Sequence, residues 1–224
     1  IFGGKSTEYS VSLHSVGSML RNCDTEKYEI SCIGITQDGR WYYLSQPDFD
    51  KIEHDHWLDD TCVEMCLNLG NETGIVLLDE KHTQIPLDVV FPVLHGKNGE
   101  DGTLQGYLEL AQIPYVGCGV LSSSCVMDKE FTHIICENAD IPCSPYVCIY
   151  KSEYTDPKAT FENAVNKLGE VLFIKPCNAG SSYGISKVRN YEEFVSGMEE
   201  AFKHDTKVLI EKNIDGFEIG CAVL

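Results

Sequence analysis

Lys175 opens the stretch of this chain best suited to chemistry. It ends an apolar run, Val171-Leu172-Phe173-Ile174, and is followed by Pro176-Cys177-Asn178-Ala179-Gly180-Ser181-Ser182-Tyr183-Gly184. Glycine and serine let a backbone approach a polyanion and turn its N–H groups inward. Lysine adds a point charge that suits phosphate. With a second strand from about Ile185, the segment reads as a strand–loop–strand hairpin that could close over nucleotide phosphates. Taken alone, it reads equally as an ordinary hairpin with a flexible turn. Three further groups stand out. Met127-Asp128-Lys129 puts a lysine in the first turn of an expected helix, where the helix dipole disfavours cations; it either serves an anion or is an ordinary surface lysine. Glu211 and Lys212 close an apolar strand, and Glu218 follows. These carboxylates either accept hydrogen bonds from adenine and ribose or are simple strand-end glutamates. His95, Glu100 and Asp101 share a glycine-rich loop, which is either an active-site loop or a plain strand–helix connection.

The elements that would hold these groups can be read from periodicity. In the first region Phe2-Gly3-Gly4 closes a strand, 12–20 is a helix, and 28–35 with 41–44 is a hairpin around the turn at 37–40. The polar, acidic stretch 45–71 reads as mobile or loosely helical surface, and 74–79 as a strand. A buried strand at 87–94 leads through the His95 loop into a helix over 103–112, then a short strand at 114–117. Such repetition argues for a mostly parallel sheet covered by helices, with ligands outside the carboxyl ends of its strands. The second region has helices at 128–139, 159–168 and from 190 to about 203, the last opened by a capping box at Asn190 and Glu193. Its strands are 144–150, 171–174, the run from 185, 208–212 and a final one toward Leu224. The fold class expected is therefore α/β followed by α+β with an antiparallel sheet.

Composition bounds the alternatives. The chain has 224 residues, 43% hydrophobic and 23% charged, as in a soluble globular protein. Its net charge of −18 repels nucleic acid and anionic membrane. No apolar run approaches the roughly 20 residues that span a bilayer, and no targeting segment is visible, so the expectation is cytoplasmic. The 11 cysteines are scattered through apolar runs and odd in number, which fits free thiols in a reducing compartment. Cys62 and Cys66 have no second half-site with zinc spacing. The chain opens at Ile1 without a methionine and stops inside a strand-like run, so it reads as a piece of a longer protein.

Together the segments resemble the D-alanine–D-alanine ligase family of ATP-grasp enzymes. The resemblance rests on Phe2-Gly3-Gly4-Lys5-Ser6-Thr7-Glu8 with Val11-Ser12, on His95-Gly96-Lys97-Asn98-Gly99-Glu100-Asp101-Gly102-Thr103-Leu104-Gln105-Gly106, on Met127-Asp128-Lys129, on the loop from Lys175 to Val188, and on Glu211-Lys212 with Gly216-Phe217-Glu218. The five stand in family order across essentially the whole chain. Pro92-Val93-Leu94-His95-Gly96-Lys97-Asn98-Gly99-Glu100 and the run from Asp215 to Val223 further resemble the VanG-type D-alanine–D-serine ligases of vancomycin resistance.

The resemblance implies a Rossmann-like N-terminal (pre-ATP-grasp) substrate domain over 1–117, a central ATP-grasp subdomain over 118–210, and the start of a truncated C-terminal one over 211–224. It implies ATP as substrate and phosphorylation of a first D-alanine. A second D-amino acid, D-serine or D-alanine, then attacks, for peptidoglycan precursor synthesis. Lys129 and Lys175 would clamp the phosphates, covered by backbone around Gly180, Ser181 and Ser182. Phe173, Glu211, Lys212 and Ile214 would hold the adenine, with Glu218 at the ribose. Glu8 would hold the first D-alanine's ammonium, supported by Ser181, and Val11 and His95 would shape that pocket. Glu8 and Ser181 are thus the implied catalytic residues. Ser10 stands where many members carry a second glutamate. Mg2+ or Mn2+ is implied, with ligands expected beyond Leu224 and none in this chain. The family is often dimeric, so a homodimer is also an expectation.

Overall fold

Alternation along the strands of the first half creates two apolar faces, and each needs its own cover. The computed structural model describes residues 1–70 and 72–221. They form two units, Ile1–Met127 and Asp128–Leu224. The first unit runs β1 (Phe2–Gly3), α1 (Tyr9–Arg21), β2 (Cys32–Ile35), β3 (Trp41–Leu44), α2 (Phe49–Glu53), β4 (Cys62–Leu67), β5 (Gly74–Leu77), β6 (Gln84–Pro86), α3 (Thr103–Leu110) and α4 (Val120–Met127). The six strands lie side by side in chain order. One face packs Ile33, Ile35, Met65, Leu67, Ile75 and Leu77 against Leu104 and Leu108 of α3. On the other, Cys32 and Leu44 meet Leu13, Val16 and Leu20 of α1, with Ile52 and Trp57.

The mostly parallel sheet expected for this region is confined to one end of it. β1 pairs parallel with β2, and single parallel bridges join Phe2 to Val93 and Val90 to Tyr115. From β2 to β6 every pairing is antiparallel, and the loops joining β2 to β3, β4 to β5 and β5 to β6 are too short for a parallel crossover. The strand expected at 87–94 is not continuous. Pro92 lacks an N–H, and the segment pairs only at Val90 and Val93. The stretch 45–71 corrects a second expectation. It contains α2 and β4, with Ile52 and Trp57 buried. Asp48 caps α2 by accepting the Asp50 and Lys51 amides. Asn71 lies outside the described residues. Helix α4 was not expected from the sequence, since its serines and cysteine show no helical period.

The second unit runs α5 (Lys129–Asn138), β7 (Tyr146–Tyr150), α6 (Pro157–Leu168), β8 (Leu172–Pro176), β9 (Ser186–Val188), α7 (Tyr191–His204) and β10 (Lys207–Lys212). Its sheet has the order β7-β10-β8-β9 and is wholly antiparallel, as expected. The Lys175 hairpin forms as read, with Phe173 opposite Lys187. Half of the expected capping box forms: Asn190 accepts the Glu193 amide, while Glu193 accepts the amide of Arg189, one residue before the cap, at 2.8 Å. Leu172, Ile174, Val188, Val208 and Ile210 face Phe194, Met198 and Ala201 of α7 and Ala164 and Leu168 of α6. No strand appears between residues 213 and 221, and the rest of the expected final strand, 222–224, lies outside the described residues. None of the 11 cysteines is in a disulfide. No described helix is long and apolar enough to cross a membrane.

Candidate functional site

With one face of the second sheet given over to its core, the opposite face carries the charge. Period two puts Lys207, Leu209 and Glu211 of β10 on one side. Their cross-strand partners put Tyr146, Cys148 and Tyr150 of β7, Phe173 and Lys175 of β8, and Lys187 of β9 on the same side. Helix α5 lies over part of it. His133 Nε2 is 3.0 Å from Glu211 Oε1, and its ring is 4.5 Å from that of Tyr146. Lys175 pairs with the other Glu211 oxygen and sits 5.8 Å from the Phe173 ring. Lys187 approaches the same ring at 5.1 Å. Glu211 is buried, so His133 and Lys175 hold the one carboxylate in the middle of this face.

Lys129 occupies the first position of α5. Asp128 caps the helix by accepting the Glu130 and Phe131 amides. The Lys129 amide donates to the Cys177 carbonyl at 3.1 Å, and its ammonium donates to the carbonyls of Ala179 at 2.6 Å and Cys177 at 3.4 Å. No carboxylate among the described residues forms an ion pair with it. Burial lowers its pKa, and the nearby Lys175 charge adds to that effect. Lys129 and Lys175 therefore stand in one neighbourhood. That neighbourhood holds a cation with no ion-paired carboxylate among the described residues, disfavoured by burial and by its helix start, though Glu211 and Asp205 act the other way.

The loop after β8 closes it. The Cys177 amide donates to the Lys207 carbonyl at 3.0 Å. The Asn178 amide donates to Asp205 at 2.8 Å, and the Asn178 side chain donates to Asp205 and Asp128. Beyond it, Ser181 and Ser182 have φ of +44° and +62°, and the Tyr183 amide donates to the Gly180 carbonyl. Positive φ at both central residues, closed by this bond, makes a type I′ turn over Gly180–Tyr183. Ser181 and Ser182 are exposed and Gly180 is half-buried. Lys212, Ile214 and Glu218 are exposed, beyond or at the end of β10.

In the first unit, Glu8 is buried at the start of α1. Ser6 Oγ accepts the Glu8 amide at 3.1 Å and donates to the His95 carbonyl at 2.9 Å. Gly96, at φ +69°, lies so close that a Cβ there would overlap the Glu8 carboxylate. His95 Nε2 is 3.0 Å from Ser15 Oγ. Val11 is 42% exposed on α1. Glu8 and His95 are thus brought together through Ser6 and Gly96. Glu100 and Asp101 prove to be structural: Glu100 accepts the Gly96 amide at 2.6 Å, and Asp101 accepts the amides of Asn98 and Thr103. A cavity of about 440 Å³ at the carboxyl ends of β1 and β2 takes in Gly3, Gly4, Lys5, Trp41, His95 and Lys97.

Sequence reading passed over two side chains of this site, His133 and Lys207. His133 is four residues after Lys129 on the same helical face, and Lys207 is two positions before Leu209 on the charged strand face. Both spacings were available as signals. Among the described residues no cluster of three or more His, Cys, Asp or Glu side chains could hold a metal ion.

Comparison with known proteins identifies the family. Residues 1–118 match the model of the D-ala D-ala ligase N-terminus, and residues 135–224 that of the D-ala D-ala ligase C-terminus. A D-alanine–D-alanine ligase of Thermoanaerobacter sp. (strain X514) is 45% identical over 100% of this chain and 62% of its own length. The crystal structure of VanG D-Ala:D-Ser ligase from Enterococcus faecalis superposes with a TM-score of 0.85 at 42% identity, covering 96% of this chain and 62% of that one. The D-alanine–D-alanine ligase structure from Coxiella burnetii gives the same TM-score at 30% identity, with 96% and 63% covered. The chain thus spans about 62% of the length of these relatives, and it belongs to the D-alanine–D-alanine ligase family.

Proposed function

We propose that the full-length protein is an ATP-dependent ligase that joins D-alanine to a second D-amino acid, D-serine or D-alanine. The observation that supports this most is Lys129: a half-buried ammonium at a helix start, beside Lys175 and a left-handed serine loop, with no ion-paired carboxylate among the described residues. A polyphosphate supplies the missing negative charge.

In this reading the γ-phosphoryl group of ATP passes to a carboxylate oxygen of D-alanine and ADP leaves. The amine of the second amino acid attacks the acyl carbon, and the tetrahedral intermediate expels phosphate as the amine gives up its proton. Positioning and charge neutralisation account for most of such catalysis. Lys129 and Lys175 neutralise the phosphates. The Gly180–Ser182 backbone covers them and excludes water, which would hydrolyse the acyl phosphate. Phe173, Glu211, Lys212 and Ile214 serve the adenine, and Glu218 the ribose. Glu8, with Val11 and His95, serves the first D-alanine. Mg2+ would add charge neutralisation from ligands outside these residues. The division at 117/118 and 210/211 into substrate domain and ATP-grasp subdomains belongs to the same reading, as do peptidoglycan precursor synthesis, a cytoplasmic location and a role in vancomycin resistance.

Phosphate release by the full-length protein, with ATP and D-alanine and then with D-serine added, tests the proposal. D-alanine-dependent release with a dipeptide product is expected. The second substrate is D-serine if the mixed dipeptide predominates and D-alanine if it does not. ATP hydrolysis that ignores D-amino acids would contradict the proposal.

A further inference from the structure

Lys207 lies outside every motif that carries the family resemblance, yet it joins both supports of Lys129. Its side chain is only 8% exposed, and its ammonium is 2.7 Å from Asp128 Oδ2 and 2.8 Å from Glu130 Oε2. These two residues flank Lys129 in sequence. One caps α5 and the other is in its first turn. Phe131 covers the same ammonium at 4.9 Å. Lys207 also acts through its backbone. Its carbonyl accepts the Cys177 amide, and the Cys177 carbonyl accepts the Lys129 amide. Asn178, the next residue, donates to the Asp128 oxygen that Lys207 also holds. The helix start and the loop carbonyls that receive the Lys129 ammonium are thus pinned to one strand residue. Burial opposes the Lys207 charge, but the hydrogen bonds to Asp128 and Glu130 prevail and raise its pKa.

We infer that Lys207 is a positioning residue for nucleotide binding, holding Lys129 where its ammonium meets the phosphates while touching no substrate itself. A buried ion triad adds little net stability over an apolar replacement, but it fixes geometry in a way an apolar replacement would not. The inference rests on the nucleotide-site reading above.

The test is a double-mutant cycle on the full-length protein, read by titration with a fluorescent ATP analogue and by thermal unfolding. Lys207→Met is expected to weaken analogue binding on the order of tenfold, Lys207→Arg to stay within about twofold of the parent, and Lys129→Met/Lys207→Met to bind no more weakly than Lys129→Met. That non-additivity is the signature of action through Lys129; a merely structural lysine lowers the melting temperature without it. Single and double losses that multiply, or a Lys207→Met protein with parental affinity, would overturn the inference. If Lys207→Met does not fold, Asp128→Asn/Glu130→Gln/Lys207→Met leaves no buried charge unpaired and keeps a capping side chain. It should fold and bind about as weakly as Lys129→Met, and parental affinity there would refute the role. A parent protein that does not bind the analogue would instead refute the nucleotide-site reading.

Discussion

Lys129 is a cation that its own surroundings oppose. The helix start repels it, burial removes water from it, and Lys175 adds like charge. Two carbonyls hold its geometry without cancelling its charge. A triphosphate is therefore expected to bind through it strongly. Lys129→Met should weaken ATP binding by about 10- to 100-fold, the range for one charge-assisted contact, measured by calorimetric titration. The pH dependence follows with a definite sign. Only the protonated lysine binds phosphate, so affinity is constant below its pKa and falls above it. Because that pKa is lowered from 10.5, the fall begins at a lower pH than for an exposed lysine. Titrations between about pH 7 and about pH 10 should show this alkaline loss, and Lys129→Arg should flatten it, since arginine stays charged throughout. An identical profile in the two proteins would remove Lys129 from the phosphate site.

At the scale of elements, the start of α5 and the His95–Gly102 loop before α3 matter most. Asp128→Ala removes a cap worth about 1 kcal/mol and one of the two carboxylates on the buried Lys207, so a loss of at least about 2 kcal/mol is expected in denaturant unfolding. Asp128→Asn keeps the cap and should lose less. Gly96→Ala meets both a left-handed backbone and the Glu8 carboxylate; it should cost about 2 kcal/mol and weaken D-alanine binding together. What was legible in the sequence was local. The Lys175 hairpin, the Asn190 cap and α5 are each specified by residues within a few positions, and all three form. What was not legible depends on distant partners. Cys62–Leu67 alternates correctly for a strand, but its acidic flanks hide it, and only β3 and β5 make it one. Ile52 and Trp57 are buried by α1 and β2, which no local pattern announces. The His95 loop was read for its carboxylates, yet Glu100 and Asp101 are spent on its own amides, and the buried residue there is Glu8.

For the whole molecule, the matched relatives are longer than this chain, which spans 62% of their length. On the ligase reading proposed above, residues 1–224 alone are expected to form no dipeptide, since among the described residues no cluster of three or more His, Cys, Asp or Glu side chains could hold a metal ion. Measurable ATP-dependent dipeptide formation by the isolated stretch would disprove that. If Lys129 and Lys175 meet one triphosphate, a crystal structure of the full-length protein with a non-hydrolysable ATP analogue and D-alanine should show phosphate oxygens within about 3.2 Å of both ammonium groups, with Lys175 drawn from Glu211 toward the phosphates. An analogue bound elsewhere, or bound while Lys175 stays on Glu211 and Lys129 stays on the Ala179 carbonyl alone, would contradict it.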